Sequence, residues 1–195
     1  MTSGQVTIAL ATDEDRAIAT MTTAFSHDPV VRWFIRDAHR YLTFWPPFVR
    51  AFAGAAFESK TAHSIDDYGG VAMWLPPGVA SDDETMGALA AEAVPAADQE
   101  EVFAFFDQMG NFHPTDDHWY LPLMGVDVMS QGRGYGSALL QHALRRCDED
   151  EVPAYLEATA PRSKALYERF GFEELGVIQA GASPPMWPML RTPRA

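Results

Sequence analysis

The sequence predicts a mixed α/β fold in which helices pack on a central sheet, formed as one domain over residues 1–195. Helical patterns come early in the chain, whereas strand and helix patterns alternate in the later part, which is typical of a mixed sheet. We find no repeat, low-complexity tract or linker that would divide the chain. Hydrophobic residues make up 47% and charged residues 21% of it, which are ordinary values for one globular domain.

The first third of the chain is predicted to begin with a strand and to continue in helices. Alternating apolar residues indicate a strand at residues 5–10, and a helical pattern follows that ends before Pro29. A second helical region, rich in aromatic residues, covers residues 30–57. Because proline removes a helical N–H donor, we expect this region to split at Pro46 and Pro47.

Strand patterns return in the middle of the chain and are followed by two acidic helices. Strands are predicted at residues 61–66 and 69–75 around a turn, and the two helices within residues 81–109 are divided near Pro95. The elements predicted after them are a strand at 118–126, a helix at 134–148, a strand at 153–158, a helix at 163–170 and closing strands at 172–179 and 186–191.

The acidic residues are concentrated in one part of the chain, whose net charge is −13. No lysine or arginine occurs between Lys60 and Arg133, and the acidic residues of that interval account for the whole net charge. Two interpretations stay open: solvated helix faces that keep the protein soluble, or a surface that attracts a cationic substrate. Nucleic-acid binding is disfavoured under either interpretation, because it requires clustered bases.

The sequence offers no sign of export or of membrane insertion. We find no basic segment followed by an apolar stretch, and no apolar run long enough to span a bilayer. Cys147 is the only cysteine, which excludes an internal disulfide and suits a reducing compartment. We therefore expect a cytoplasmic protein without a membrane partner.

A glycine-rich turn between a predicted strand and a predicted helix is the most informative segment. Gly132, Gly134 and Gly136 allow a ligand to approach backbone N–H groups at the positive end of the helix dipole, which suits a pyrophosphate. A P-loop would need a Gly-Lys-Ser/Thr tripeptide, which is absent, and a dinucleotide-binding turn would need glycine where Ser137 stands. The spacing Gln131-x-x-Gly134-x-Gly136 favours coenzyme A instead.

Residues 119–172 resemble the GNAT acetyltransferase superfamily, and within it most closely the puromycin N-acetyltransferase-like proteins. The resemblance rests on Gln131-x-x-Gly134-x-Gly136 after an apolar strand and on Tyr167-Glu-Arg-Phe-Gly-Phe in the later part of the chain. The segments Pro153-Ala-Tyr-Leu-Glu and Ala160-Pro-Arg carry the closer likeness. The resemblance implies a GNAT-like central mixed, mostly antiparallel sheet flanked by helices, with acetyl-CoA as co-substrate. We expect no metal, because His27, His113 and the pair Asp116 and Asp117 have no metal-ligand spacing.

The resemblance also implies which residues hold the coenzyme. The backbone of residues 124–126 would pair with the pantetheine arm as a strand would, and the amides of residues 131–137 would hold the pyrophosphate. The residues implied in coenzyme binding are Met124, Gly125, Val126, Gln131, Gly132, Arg133, Gly134, Tyr135, Gly136, Ser137 and Ser163. Similar proteins often have asparagine where Ser163 or Ala160 stands here, so this chain departs from the pattern. The Ser163 hydroxyl is expected to cap the following helix.

Two residues are predicted to carry the chemistry. Attack of an amine on a thioester requires a neutral nitrogen and a proton for the departing thiolate. The resemblance implies Tyr167 as the donor of that proton. Glu157 is the candidate base, and its alternation with an apolar neighbour leaves open whether it faces the site or solvent. Direct attack requires no enzyme nucleophile, and Cys147 is poorly placed to be one.

We therefore predict an N-acetyltransferase that transfers an acetyl group from acetyl-CoA to a primary amine, with a small cationic molecule as the expected substrate. The acid-only interval between Lys60 and Arg133 would flank this acceptor, and the basic segments after it would flank the coenzyme. Two alternatives remain: a non-catalytic acyl-CoA-binding module, and an acetyltransferase that acts on protein amines. The oligomeric state stays open between a monomer and a homodimer.

Overall fold

The computed structural model describes residues 4–194. Seven strands of this range form one sheet. The strands are β1 (Val6–Ile8), β2 (Ala62–Ile65), β3 (Gly70–Leu75), β4 (Trp119–Val126), β5 (Ala154–Ala158), β6 (Glu173–Glu174) and β7 (Trp187–Arg191). Their order in the sheet is β1-β2-β3-β4-β5-β7-β6, and all neighbouring pairs are antiparallel except β4 and β5, which are parallel. The mixed, mostly antiparallel sheet predicted from the sequence is confirmed.

The α-helices pack on both faces of this sheet. They are α1 (Glu14–Ala24), α2 (Pro29–Phe34), α3 (Ala38–Ala53), α4 (Ala55–Glu58), α5 (Asp83–Ala93), α6 (Gln99–Phe112), α7 (Tyr135–Glu149) and α8 (Pro161–Arg169). Successive residues of a strand point to opposite faces, so β5 contributes Tyr155 to the core shared with α1 and α3 and Leu156 to the core shared with α7 and α8.

The split predicted at Pro46 and Pro47 is wrong, because α3 runs through both prolines without a break. The buried face of the helix carries stacked aromatic residues, namely Tyr41, Trp45 and Phe48. Burial of these rings stabilises the helix enough to offset the N–H donors lost at the prolines. The region is broken instead before α3, where the Asp37 carboxylate caps the first turn, and again at Gly54 before α4.

The first of the two closing strands is shorter than predicted. The strand expected at residues 172–179 is reduced to the two residues of β6 and an isolated bridge between Ile178 and Met186. The adjoining backbone is held by α6 instead, because the Gln108 side chain donates to the Gln179 carbonyl at 3.0 Å and accepts from its N–H at 3.1 Å. A side chain thus satisfies backbone groups that a sheet neighbour would otherwise pair.

The remaining predicted strands and helices are present with shifted ends. The two acidic helices are α5 and α6, which form an excursion between β3 and β4. Cys147 is buried in α7, and burial raises the pKa of its thiol to about 12, which keeps it protonated. Within residues 4–194, no helix is both long enough and apolar enough to cross a membrane.

Candidate active site

The site is built where β4 and β5 separate. The two strands pair only over residues 119–121 and 154–156, and beyond that point β4 continues to Val126 with β3 as its neighbour on one side. A bulge accompanies the separation: Leu121 and Pro122 of β4 together lie opposite Trp74 of β3. The edge of β4 that faces the departing β5 is therefore without a strand partner at residues 124–126, and an extended ligand can add to it.

The glycine-rich turn leads into the N-terminus of α7 beside this open edge. Gly134 is the N-cap residue with a φ of 84°, a left-handed conformation that favours glycine, and no side chain of residues 4–194 caps the first turn. Gly132 has a similar φ of 79°. The N–H groups of the first turn are therefore left for an external acceptor, and the helix dipole favours an anionic one such as a phosphate.

The turn, the open edge of β4 and α8 surround a cleft of about 710 Å³. The predicted coenzyme residues that line it are Met124, Gly125, Val126, Gln131, Gly132, Gly134, Tyr135, Gly136, Ser137 and Ser163. Arg133 does not line the cleft, and its side chain forms an ion pair with Asp66 at 3.5 Å. A strand edge for the pantetheine arm and a helix N-terminus for the pyrophosphate both fit coenzyme A.

We expect Gly136→Val to weaken acetyl-CoA binding by about tenfold or more while the protein stays folded. A Cβ at this helical position would lie 3.3 Å from Cδ2 of Leu166, so valine narrows the gap between α7 and α8 in which the coenzyme is expected to bind. Titration calorimetry with acetyl-CoA measures the change, and circular dichroism checks the fold.

Gly110→Val is the matched control. Gly110 is also a helical glycine, but it is exposed on α6, and apart from its chain neighbours and its own helix backbone no atom of residues 4–194 lies within 4 Å of a Cβ added there. This variant has the same change in side chain and should bind acetyl-CoA like the wild type. Equal affinities for the two folded variants would contradict the placement of the coenzyme in the cleft.

Glu157 also lines the cleft, which answers the question that the strand pattern left open. Its Oε2 accepts a hydrogen bond from the Tyr120 hydroxyl at 2.9 Å, and its Oε1 is buried without a hydrogen-bond partner among residues 4–194. Burial raises the pKa of Glu157 to about 7, although the neighbouring hydroxyls of Tyr120 and Tyr155 act in the opposite direction. A carboxylate with such a pKa can accept a proton near neutral pH.

Tyr167 lies in α8 and is buried beside the ring of Phe172, with the two centroids 5.9 Å apart. It lines the same cleft as Glu157. Burial raises the pKa of the Tyr167 hydroxyl, and the negative charge of Asp28 adds to the effect. The phenol therefore keeps its proton at neutral pH and can act as a donor.

The first turn of α8 differs from the sequence expectation. The N-cap residue is Ala160, and Ser163 is the third residue of the helix, so its hydroxyl donates back to the Ala160 carbonyl at 2.9 Å. The helix cap expected from Ser163 is therefore wrong. The neighbouring Arg162 contacts the side-chain oxygen of Gln131 at 3.4 Å, which joins α8 to the glycine-rich turn.

Asp28 and Thr159 are cleft residues that the sequence analysis missed. The Asp28 carboxylate caps α2 through Oδ1, and its Oδ2 accepts a hydrogen bond from the Thr159 hydroxyl. The pair connects the α1–α2 loop to the residue that follows β5, and burial raises the pKa of Asp28. The Asp-Pro dipeptide at residues 28–29 predicts a helix start, but nothing local predicts contact with a residue so distant in the chain.

Acidic residues of the interval between Lys60 and Arg133 lie in at least two regions of the molecule. Asp66 lies beside the glycine-rich turn, where its carboxylate accepts a hydrogen bond from the Tyr135 hydroxyl and pairs with Arg133. Four other aspartates line a second cavity, namely Asp83, Asp107, Asp116 and Asp117. The expected division into an acidic acceptor side and a basic coenzyme side is therefore wrong for Asp66, because the β2–β3 turn carries it to the coenzyme side.

The splayed strands, the glycine-capped helix and the mixed sheet together are those of an N-acetyltransferase. Residues 43–172 match the acetyltransferase (GNAT) family, and the chain belongs to this family. The match covers more than half of the chain and includes the β4–β5 separation, the glycine-rich turn and α8.

Individual proteins of known sequence or structure are similar over almost the whole chain. An uncharacterized N-acetyltransferase of Schizosaccharomyces pombe is 25% identical over an alignment 200 positions long, which covers 94% of this chain and 81% of that protein. The structure of a histone acetyltransferase HPA2 and related acetyltransferase from Corynebacterium glutamicum has a TM-score of 0.71 and 25% identity, and the match covers 100% of this chain and 98% of that one. A polyamine N-acetyltransferase of Drosophila melanogaster has a TM-score of 0.65 with 10% identity, over 96% of this chain and 99% of that one. The last likeness shows the fold alone.

Proposed function

We propose that this protein transfers the acetyl group of acetyl-CoA to the primary amine of a small cationic molecule by direct attack. The observation that carries the proposal is that a candidate base and a candidate acid, Glu157 and Tyr167, line the same cleft as the glycine-rich turn. Their environments suit opposite tasks, since the carboxylate has a buried free oxygen and the phenol keeps its proton. Neither has to bond covalently to the acetyl group.

In this proposal Glu157 and Tyr167 move the two protons that aminolysis of a thioester requires. The Oε1 of Glu157 takes the proton that the amine must lose, while Tyr120 holds the other carboxylate oxygen. The amine nitrogen bonds to the acetyl carbon as the carbon–sulfur bond breaks, and the Tyr167 hydroxyl gives a proton to the departing thiolate. Acetyl-CoA supplies the activated acetyl group, and the residues around the glycine-rich turn would hold it.

A cationic acceptor is supported by the charge of the protein. Asp28 and Glu157 place two carboxylates in a cleft that Arg162 and Arg169 also line, so the support for a cation comes chiefly from the whole molecule, whose net charge of −13 raises the local concentration of cations around it. The Drosophila protein of similar fold is named a polyamine N-acetyltransferase that forms N-acetylagmatine, which agrees with such an acceptor. Its low identity means that the residues of this chain have to carry the assignment.

We expect salt to depress the acetylation of a diamine more than that of an amino alcohol of the same length. Butane-1,4-diamine and 4-aminobutan-1-ol offer the same nucleophile, but only the diamine brings a second positive charge, whose attraction salt screens. Release of free coenzyme A gives kcat/KM for both between about 20 and about 500 mM salt. The value for the diamine should fall about fivefold or more relative to the alcohol.

Three outcomes would redirect the proposal. Equal salt dependence of the two amines would remove the cationic acceptor. Absence of coenzyme A release with any member of an amine library would favour an acyl-CoA-binding module without turnover. Preferential acetylation of peptide N-termini or lysines would favour protein amines, a possibility that the name of the Corynebacterium structure raises.

A further inference from the structure

A second cavity, which we call the α5–α6 pocket, lies between the α5–α6 excursion and the sheet. Its volume is about 740 Å³, and none of its lining residues lines the catalytic cleft. The aromatic and methionine side chains that line it are Phe48, Phe52, Phe103, Phe106, Tyr120, Met86 and Met109. A cavity of this size with apolar walls is typical of a small-molecule site, and methionine adapts to the shape of a ligand.

The charged residues of the α5–α6 pocket are nearly all of one sign. Four exposed aspartates line it, namely Asp83, Asp107, Asp116 and Asp117, and none of the lysines and arginines that the structure describes does. Within the part of the chain that the structure describes, none of these four carboxylates takes part in an ion pair. The walls of the pocket therefore do not neutralise its own negative charge.

A pair of histidines in the wall does not change this balance. His118 Nδ1 lies 2.7 Å from the Asp116 carbonyl, which can only accept, so this nitrogen carries the proton. The Nε2 of His118 then accepts from the Nε2 of His113 at 3.0 Å. If both rings were fully protonated, both Nε2 atoms would be donors and could not form a hydrogen bond. The pair therefore holds at most one extra proton while the bond between the two Nε2 atoms persists. Four carboxylates still leave the pocket negative.

We propose that the α5–α6 pocket binds a small amphipathic ammonium compound, with its apolar body on the aromatic walls and its positive charge at the aspartates. Aromatic faces attract cations, and the surrounding carboxylates exclude anions. The exposed carboxylates would add no attraction for an uncharged apolar ligand. This site is distinct from the acetyl-transfer cleft, from which it is separated by the hydrogen bond between Tyr120 and Glu157.

The test is binding of phenyltrimethylammonium to the protein saturated with coenzyme A. This probe has an aromatic ring and a permanent charge, but it has no N–H group and cannot be acetylated, so its binding is measured independently of turnover. We expect the double variant Asp83→Asn, Asp107→Asn to bind it about fivefold more weakly at low salt. Phe52→Leu, which removes one aromatic wall but keeps an apolar side chain, should also weaken it.

The charge-matched control is the double variant Glu92→Gln, Glu100→Gln, which removes two exposed carboxylates of α5 and α6 that lie outside the pocket. It should bind the probe like the wild type. Absence of probe binding at millimolar concentration, or equal weakening by the control, would overturn the proposal. Competition between the probe and an amine that the enzyme acetylates would also overturn it, because the pocket would then belong to the acceptor site. None of these outcomes bears on the proposed acetyl transfer, which is tested separately by the release of coenzyme A from the unmodified protein.

Discussion

Replacement of Tyr167 by phenylalanine should reduce kcat by about a hundredfold or more, while the affinity for acetyl-CoA stays unchanged. Phenylalanine keeps the ring that packs beside Phe172 in the buried part of α8, so only the hydroxyl is lost. The departing thiolate then has no proton donor at this position. Steady-state kinetics at saturating concentrations of both substrates give kcat, and calorimetry gives the dissociation constant of acetyl-CoA.

Tyr68→Phe is the matched control, because the Tyr68 hydroxyl donates to Asp13 at 3.1 Å and does not line the cleft. Its kcat should equal that of the wild type. Rapid-mixing measurements of the first turnover separate the chemical step from product release. If that first turnover is as fast in Tyr167→Phe as in the wild type, the phenol is not the proton donor.

The parts of the fold that follow from local pattern could be predicted from the sequence. The glycine-rich turn, for example, depends on Gly132 and Gly134, whose positive φ angles favour residues without a side chain. The same local logic located most strands and helices, whereas the prediction that Tyr167 and the turn share one site came from the family resemblance. Such local features can be predicted because the residues next to them in the chain determine their conformation.

The parts that depend on contacts between distant segments could not be predicted. Pro46 and Pro47 signal a helix break, but the aromatic core beneath α3 overrides the signal. The strand alternation around Glu157 says nothing of Tyr120, which lies on another strand and orients the carboxylate. Asp28 likewise reads as an ordinary helix cap until the fold brings Thr159 beside it.

Glu157→Gln should reduce kcat/KM by about a hundredfold or more at pH 8. Glutamine has nearly the same shape, and its side-chain oxygen can still accept the hydrogen bond from Tyr120, so the packing is retained while the base is lost. The ratio of wild-type to variant kcat/KM cancels the ionisation of the amine substrate. Because the pKa of Glu157 is about 7, this ratio should rise with pH up to that value and then level off.

The stability of the same variant gives a second, independent measurement. Burial raises the pKa of Glu157 from 4.5 to about 7, so between these values the folded protein holds a proton that the unfolded chain has released. Proton binding by Glu157 therefore favours the folded protein in this window, and the free energy of unfolding of the wild type falls as pH rises through it. Glutamine does not titrate, so the variant should gain stability relative to the wild type between pH 5 and pH 8 in urea unfolding.

A control glutamate separates this effect from general changes in charge. Glu84 is exposed on α5 and lies outside the cleft. For Glu84→Gln, the ratio of wild-type to variant kcat/KM should not change with pH. The difference in unfolding free energy between this variant and the wild type should be the same at pH 5 and at pH 8. A Glu157→Gln variant that loses activity without the pH-dependent gain in stability would indicate that the carboxylate is hydrated in solution. A variant that gains stability but keeps its activity would show that Glu157 is buried without being the base. Only the two changes together support a buried carboxylate that takes the proton of the acceptor amine.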